Sequence, residues 1–423
     1  MSVPWLALAF TAARVVTLDD ALALARDADL RIEQSRLDEV AADLRAGSAF
    51  TRVLPTVDAS AGVTRNAKEI VVNDRVVTPL YVPNANLVGR WPLFRGSDLP
   101  QAIAAFYESR AVAAESGELR ESYAADVAAL FLALAEADAV CALAEDAHAR
   151  ASERRRIAEA RVAIGEGIAL DVNDARAEEA RTRSVLASVE RDRADVLAFF
   201  KMRTGIDDEE TLSFECVDCV LPPVDDDATA DLARGDIVAL RHRGTALLAD
   251  ELAHAAAFLP TVDAVANARL QQPTLFNPEP LWWTAQISLT WTIFGGTSPS
   301  GGNRAFSLVE RDRARARLSV TERLAVDEAR ASNVRARATH DAARALAMAT
   351  DEEASAAKEA LRIVELRHRE GEASSLDVSF AARRALDAEV AHTRARFDVQ
   401  RAALAWRRTL GKGPQDDGES HGG

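Results

Sequence analysis

Cysteine is scarce in this sequence, with three among 423 residues. Cys141 stands alone, and Cys216 and Cys219 form a single Cys-x-x-Cys pair. A structural zinc site needs four ligands, so one pair does not supply it. A thioredoxin-type pair belongs at a strand-to-helix turn of a βαβ unit, and none surrounds these residues. They read as a local disulfide or two free thiols in a linker before Pro222-Pro223. Positive charge is in deficit: 51 Lys and Arg face 66 Asp and Glu, a net charge of −15. That excludes a general nucleic-acid binder, which needs a positive face to displace counterions. No run of about eighteen consecutive apolar residues occurs, so no membrane-spanning helix is expected. A membrane β-barrel stays open, because alternating strands average to a neutral hydropathy. The seven histidines are scattered without an HExxH pair, and Gly296–Gly302 lacks the Gly-Lys-Ser/Thr of a phosphate loop. No catalytic, metal or cofactor site is expected, and the chain does not read as an enzyme. Aromatics are also few, 5% against 48% apolar, so alanine carries much of the apolar count. Such a composition favours long helices with narrow packing seams.

What is present is a duplication. Leu54-Pro-Thr-Val-Asp-Ala59 recurs identically as Leu259 to Ala264, 205 residues on. Trp91-Pro-Leu-Phe-Arg-Gly96 recurs in outline as Trp291 to Gly296, an offset of 200. Gly165 with Leu170-Asp-Val172 recurs as Gly371 with Leu376-Asp-Val378, and Thr204-Gly205 pairs with Leu410-Gly411, both at 206. Four landmarks in one order define two tandem copies, 14–216 and 229–411, joined by a linker over 217–228. Residues 1–13, an apolar run closing on small residues, form a candidate signal segment, although Arg14 is the first positive side chain. The Gly/Asp-rich tail, 412–423, is expected to lack structure.

Around the Leu-Pro-Thr boxes the pattern turns to period two, giving strands at about 53–64, 84–94, 259–270 and 283–293. In 283–293, Trp283, Ala285, Ile287, Leu289 and Trp291 alternate with Thr284, Gln286, Ser288 and Thr290. Each run has about ten or eleven residues, the length a tilted strand needs to cross a bilayer. Trp91, Phe94, Trp282, Trp283 and Trp291 gather at strand ends, as in an interfacial girdle. Four strands cannot close a barrel, and open edges in lipid leave backbone groups unsatisfied. Several chains must therefore share one barrel if the strands are in a membrane.

The rest is helical. Between Gly96 and Gly165 the only proline is Pro100, and none interrupts 304–369, so each stretch reads as one helix of about 65 residues. A helix of about 35 residues returns from each glycine turn, and single helices over 18–48 and 231–258 open the copies. Val390, Phe397 and Leu404 mark a thin heptad seam.

These residues carry a resemblance. Thr17-Leu-Asp-Asp-Ala-Leu-Ala-Leu-Ala25, the two Leu-Pro-Thr boxes, Trp-Pro-Leu-Phe-Arg-Gly96 and Gly371-Glu-Ala-Ser-Ser-Leu-Asp-Val378 are similar to the pattern of the TolC-like outer-membrane efflux proteins. The likeness runs from Leu18 to Gly411, with Ile168 where the first turn would carry serine. It implies an α+β membrane protein and a homotrimer, with a shared 12-stranded β-barrel and a long periplasmic α-helical barrel. It implies a passive export duct of a tripartite efflux or type I secretion system. The partners would be a periplasmic adaptor (a membrane fusion protein), an inner-membrane pump of RND or ABC type, and outer-membrane lipid. Gly165, Gly167 and Gly371 would then be adaptor-contacting hairpin tips, glycine being needed there for positive φ. The family closes its entrance with Asp-x-x-Asp rings past the second tip. Here those positions are Asp377 and Phe380, while Asp171 and Asp174 hold the spacing in the first copy, so a differently built gate is expected. The alternative is a soluble, elongated coiled-coil scaffold.

Overall fold

The computed structural model describes residues 14–72, 75–207, 212–214, 234–271, 279–291 and 302–414. Segment 1–13, Cys216, Cys219, linker 217–228 and positions 292 and 293 of the last expected strand lie outside them. In order the chain forms β1 (Arg14–Val16), α1 (Leu18–Ala28), α2 (Leu30–Phe50), β2 (Thr56–Arg65), β3 (Ile70–Val72), β4 (Arg75–Thr78) and β5 (Tyr81–Phe94). There follow α3 (Asp98–Ala163), α4 (Ala169–Thr204), β6 (Leu212–Phe214), α5 (Gly235–Ala256), β7 (Thr261–Gln271), β8 (Leu281–Thr290), α6 (Gly302–Arg369) and α7 (Ser375–Thr409). Two units emerge: Met1–Ser35 with Gly117–Gly235 and Val326–Gly423, and Arg36–Ser116 with Asp236–Ala325.

The long helices, each shared between the two units, form because alanine, glutamate and arginine run on with no proline beyond the first turn; α3 has 66 residues and α6 has 68. The single opening helix expected over 18–48 is two. Thr17 caps α1 through a box with Asp20, and Asp29 then turns extended, at φ −87° and ψ 117°. Asp29 competes with the helix for its own neighbours: its carboxylate accepts from the Arg31 backbone N–H at 2.7 Å and from Arg31 Nη2 at 2.9 Å. The Arg31 guanidinium, chiefly by its side-chain hydrogen bonds, holds the Asp29 carboxyl down at about 2, against an ordinary 3.8. The lowered value means that the stabilisation is complete above the unfolded pKa of 3.8 and is lost as pH falls through 2. Asp29→Asn is expected to lower unfolding free energy by about 2 kcal/mol at pH 7. Denaturant titrations should see that deficit shrink as the pH is brought down to 2.

The core of the first unit joins Val16, Leu22 and Ala25 to Val127, Phe131 and Leu134 of α3 and Phe200 of α4. It also accounts for an apolar stretch of α3. Among the described residues α3 does carry an eighteen-residue window long and apolar enough to cross a membrane, but half of that window is buried inside the structure. Tyr123 in α3 donates to the Arg203 carbonyl at 2.9 Å, as a packed core helix would. Along α7 the heptad seam is mostly alanine: Ala388, Ala395 and Ala402 are buried at sevenfold spacing, Leu404 is buried, and Val390 and Phe397 are half-buried. The tail expected to be loose from 412 is packed at its start. Arg407 is almost wholly buried and needs acceptors, so its Nε donates to Gly413 O at 3.2 Å, while Lys412 N–H returns to Arg407 O.

The second unit holds the main sheet, in the order β2-β5-β7-β8 with every neighbour antiparallel. β5 is central yet contains two prolines, which central strands avoid. Both sit where a neighbour has run out. Pairing with β7 begins at Asn84, one residue after Pro83, and pairing with β2 ends at Arg90, before Pro92. Sequence reading missed the small β3–β4 hairpin and the parallel β1–β6 pair, both three or four residues per strand and below the length that periodicity resolves.

Candidate functional site: a two-faced sheet and two hairpin tips

The register sorts the sheet into one apolar and one polar face. Val57 pairs with Gly89, Gly89 with Ala266, and Ala266 with Ala285, so these lie in one row across all four strands. Applied to the other rows, the same face carries Ala59, Ala61 and Val63; Ala85, Leu87 and Trp91; Val262, Ala264 and Leu270; and Trp283, Ile287 and Leu289. Apart from the tryptophan indoles this face is aliphatic between the strand ends, and at one end it carries Arg65 paired with Tyr81, the guanidinium 5.9 Å from the ring centroid. The opposite face carries Thr56, Asp58, Ser60, Asn86, Arg90, Asp263, Asn267, Arg269, Gln286 and Ser288. There Arg95 Nη2 meets Asp263 Oδ1 at 2.8 Å, both half-buried. The apolar face is open: Val57, Leu87, Ile287 and Leu289 are all exposed.

The five aromatic residues expected at strand ends are all exposed and occupy both ends of the sheet. Trp91, Phe94 and Trp291 cluster at the end where Val262 and Thr290 lie, and Trp282 and Trp283 at the other. Phe94 reaches the apolar face through a bulge between Pro92 and Phe94, which brings it opposite Val262. Trp291 Nε1 donates to the Phe258 carbonyl at 3.1 Å, the amphipathic use of an interfacial indole. Trp282 departs from the expected set: it pairs with Arg269 and lies on the polar face. Its neighbour Trp283 holds the apolar side.

β2 and β8 have no neighbour on their outer sides among the described residues. The Gln271 N–H bonds to Pro280 O at 2.9 Å, which fixes the ladder's phase and points the N–H groups of Trp283, Ala285, Ile287 and Leu289 outward. Asn66 N–H to Leu80 O does the same for β2, leaving Val57, Ala59, Ala61 and Val63 outward.

At the tips, Gly165 and Gly371 take φ of 80° and 79°, as the turns demand. Gly167 differs from expectation, since its φ is not in the left-handed range. It is glycine because a Cβ there would stand 3.1 Å from Val162 Cγ2 and from the Val162 amide. Asp171 and Asp174 are half-buried, one turn apart in α4. Asp171 lines a cleft of about 250 Å³ with Arg154, Glu178, Glu365, His368 and Ser375, which brings it beside the start of α7. Burial lowers the pKa of the Arg154 guanidinium in that cleft, 3.9 Å from Glu365. Asp377 is not brought in: it is exposed and serves α7 itself. Its Oδ2 accepts from Ser374 N at 2.9 Å and Ser374 Oγ at 2.7 Å, and its own N–H donates to Ser374 Oγ. Those bonds hold the Asp377 carboxyl below the usual carboxylate range. The Ser374-x-x-Asp377 spacing is the sequence signature of such a capping box. Phe380, in the position of a second acidic ring, is exposed.

A sheet apolar on one side, polar on the other and girdled by aromatics, with very long helical hairpins, defines the class of outer-membrane channel proteins. The sequence profile described as outer membrane efflux protein matches residues 21–198 and 229–412, and the chain belongs to that family, the TolC-like channels. Its place is the outer membrane and the periplasm, and the family is one of channels and not of enzymes. The soluble-scaffold alternative falls with this match. Among solved structures, the fold is similar to the open state of the Neisseria gonorrhoeae MtrE outer membrane channel. That match has a TM-score of 0.77 at 21% identity, over 95% of this chain and 91% of that one. The Campylobacter jejuni CmeC outer membrane channel gives 0.76 at 17%, over 95% and 87%. The Vibrio cholerae outer membrane protein VceC gives 0.74 at 19%, over 94% and 97%. No curated protein matches.

Proposed function

We propose that three copies of the chain close one 12-stranded barrel in the outer membrane, above a helical barrel in the periplasm, and that this assembly is a passive export duct. The observation that carries it is the four-stranded sheet with one predominantly apolar face, aromatics at both ends, and two open edges. Strand directions alternate from β2 to β8, so β8 of one chain meets β2 of the next antiparallel and the ladder continues without a break. Closure satisfies every outward N–H, which lipid cannot do. The two structural repeats, 14–216 and 229–411, each supply one hairpin of strands and one of helices. A periplasmic adaptor would seat at the tips around Gly165, Gly167 and Gly371, and an inner-membrane pump of RND or ABC type would supply the energy for efflux or type I secretion.

Three copies of Asp171, Asp174 and Asp377 near the axis would make the entrance cation-attracting. Purified protein in planar bilayers is expected to give stepwise, cation-preferring conductance. Replacing all three aspartates by alanine should reduce the cation-to-anion permeability ratio severalfold. Absence of channels would refute the duct, and an unchanged ratio would remove these residues from the gate.

A further inference from the structure

Trp282 is the aromatic that a lipid-facing girdle does not account for. It pairs with Arg269, and the register continues through Asn86 to Ser60, so these four residues form one row across the polar face. An exposed indole on the apolar face is covered by lipid once the sheet is in a membrane. Trp282 is 52% exposed on the face that stays wet, and its N–H has no partner among the described residues. Arg269, directly opposite, is exposed and has no ion-pair partner among them either. Opposed residues on neighbouring strands hold their Cβ atoms about 5 Å apart. A guanidinium fork that matches a carboxylate or sulfonate therefore starts beside a flat aromatic ring. Asn86 extends the row with an amide able to donate.

The other charges on this face leave Arg269 uncompensated. Asp263 is taken by Arg95 at 2.8 Å. Asp58 lies one row nearer the helices and two strands away, on β2 against β7. Arg90 pairs with Val265, two rows nearer the helices than Arg269 and about 13 Å along the strand. Beyond the paired strands Glu279 precedes β8, and no ion pair joins it to Arg269. The row also has a fixed place in the duct. α2 leads into β2 and α3 follows β5, so the helices leave the sheet at the end where Thr56, Phe94 and Thr261 lie. Arg269 is eight residues past Thr261, about 26 Å along β7. With the helices in the periplasm, that row lies near the outer mouth.

We infer that Arg269 and Trp282 form a binding station for aromatic anions on the lumen wall near the outer mouth, repeated in each chain. The guanidinium takes the anionic group and the indole stacks on the ring, so planar acids dwell there longer than aliphatic anions do. The inference rests on the shared barrel proposed above, which makes the polar face the lumen. It adds a preference among the molecules that leave.

Current block in planar bilayers tests it, with the full chain and 2-naphthalenesulfonate as the probe. The probe should reduce single-channel current at lower concentration than methanesulfonate, which has the same charge and no ring. Arg269→Gln should raise the half-blocking concentration about tenfold, through loss of a charge-assisted hydrogen bond. Trp282→Leu should raise it about fivefold, and Trp282→Tyr should restore most of the block. Arg90→Gln removes the same charge farther away than a Debye length of about 8 Å, and should shift the block less than about twofold. Equal shifts for Arg90→Gln and Arg269→Gln would mean diffuse lumen charge and no station, and would overturn the inference. An unshifted block in Trp282→Leu would overturn it too. Open-channel conductance reports the assembly of each variant independently; should Trp282→Leu fail to assemble, the two arginine variants decide. Channels that conduct without preferring the aromatic anion overturn the station and leave the duct standing, whereas absence of channels overturns both.

Discussion

Ala266→Arg is expected to abolish assembly, while Asn267→Arg one residue away leaves it intact. Ala266 is at the middle of β7, in the row with Gly89 and Ala285 on the apolar face; Asn267 is on the polar face. If the apolar face meets hydrocarbon, an arginine near the midplane costs about 2–4 kcal/mol in each chain, and a trimer carries three. Asn267→Arg adds a charge to a wet surface that already holds Arg90 and Arg269, where about 0.5 kcal/mol or less is expected. Denaturant unfolding in lipid vesicles, with the yield of assembled protein in the membrane fraction, reads the difference. Equal costs at the two positions would mean that both faces see the same solvent.

The second large effect is expected at the edges. Ala285→Pro in β8 and Ala59→Pro in β2 remove N–H groups that point away from the chain's own sheet. On a free edge strand in water such a proline is tolerated and costs little. In a shared barrel it deprives the neighbouring chain's carbonyl of its partner inside the bilayer, where an unsatisfied group costs several kcal/mol. Both variants should therefore accumulate as unassembled chains. Thr284→Pro would strike the β7–β8 ladder within the chain and damage folding in either case, so it calibrates the assay. Normal assembly of both edge variants would place β2 and β8 at solvent-exposed edges.

What the sequence made legible was the part governed by repetition and period. Alternation in 283–293 identified a strand whose observed residues are Leu281–Thr290, and proline-free stretches identified α3 and α6. Local competition was harder to see. Asp29 ends α1 because its carboxylate captures Arg31, a side-chain decision that helix propensity does not encode. Trp282 and Trp283 are adjacent and equally aromatic; the alternation that puts Trp283 with Ala285 and Ile287 already puts Trp282 in the polar phase, and the register against Arg269 and Ala268 agrees. At the tips, the family resemblance implied Asp377 as a gate group, and the structure adds a capping role that the Ser374-x-x-Asp377 pattern already contained. Scattered charges break the apolar run in α3, so the stretch shows in its average hydropathy and not as a continuous run.

The central claim is that one chain supplies four strands of a barrel closed by three. The most direct measurement is the protein mass of the folded, detergent-solubilised particle, by native mass spectrometry or light scattering corrected for detergent. The shared barrel predicts three times the chain mass of 45.6 kDa, resistant to dilution. A folded particle of a single chain mass, stable in water without detergent, would contradict it.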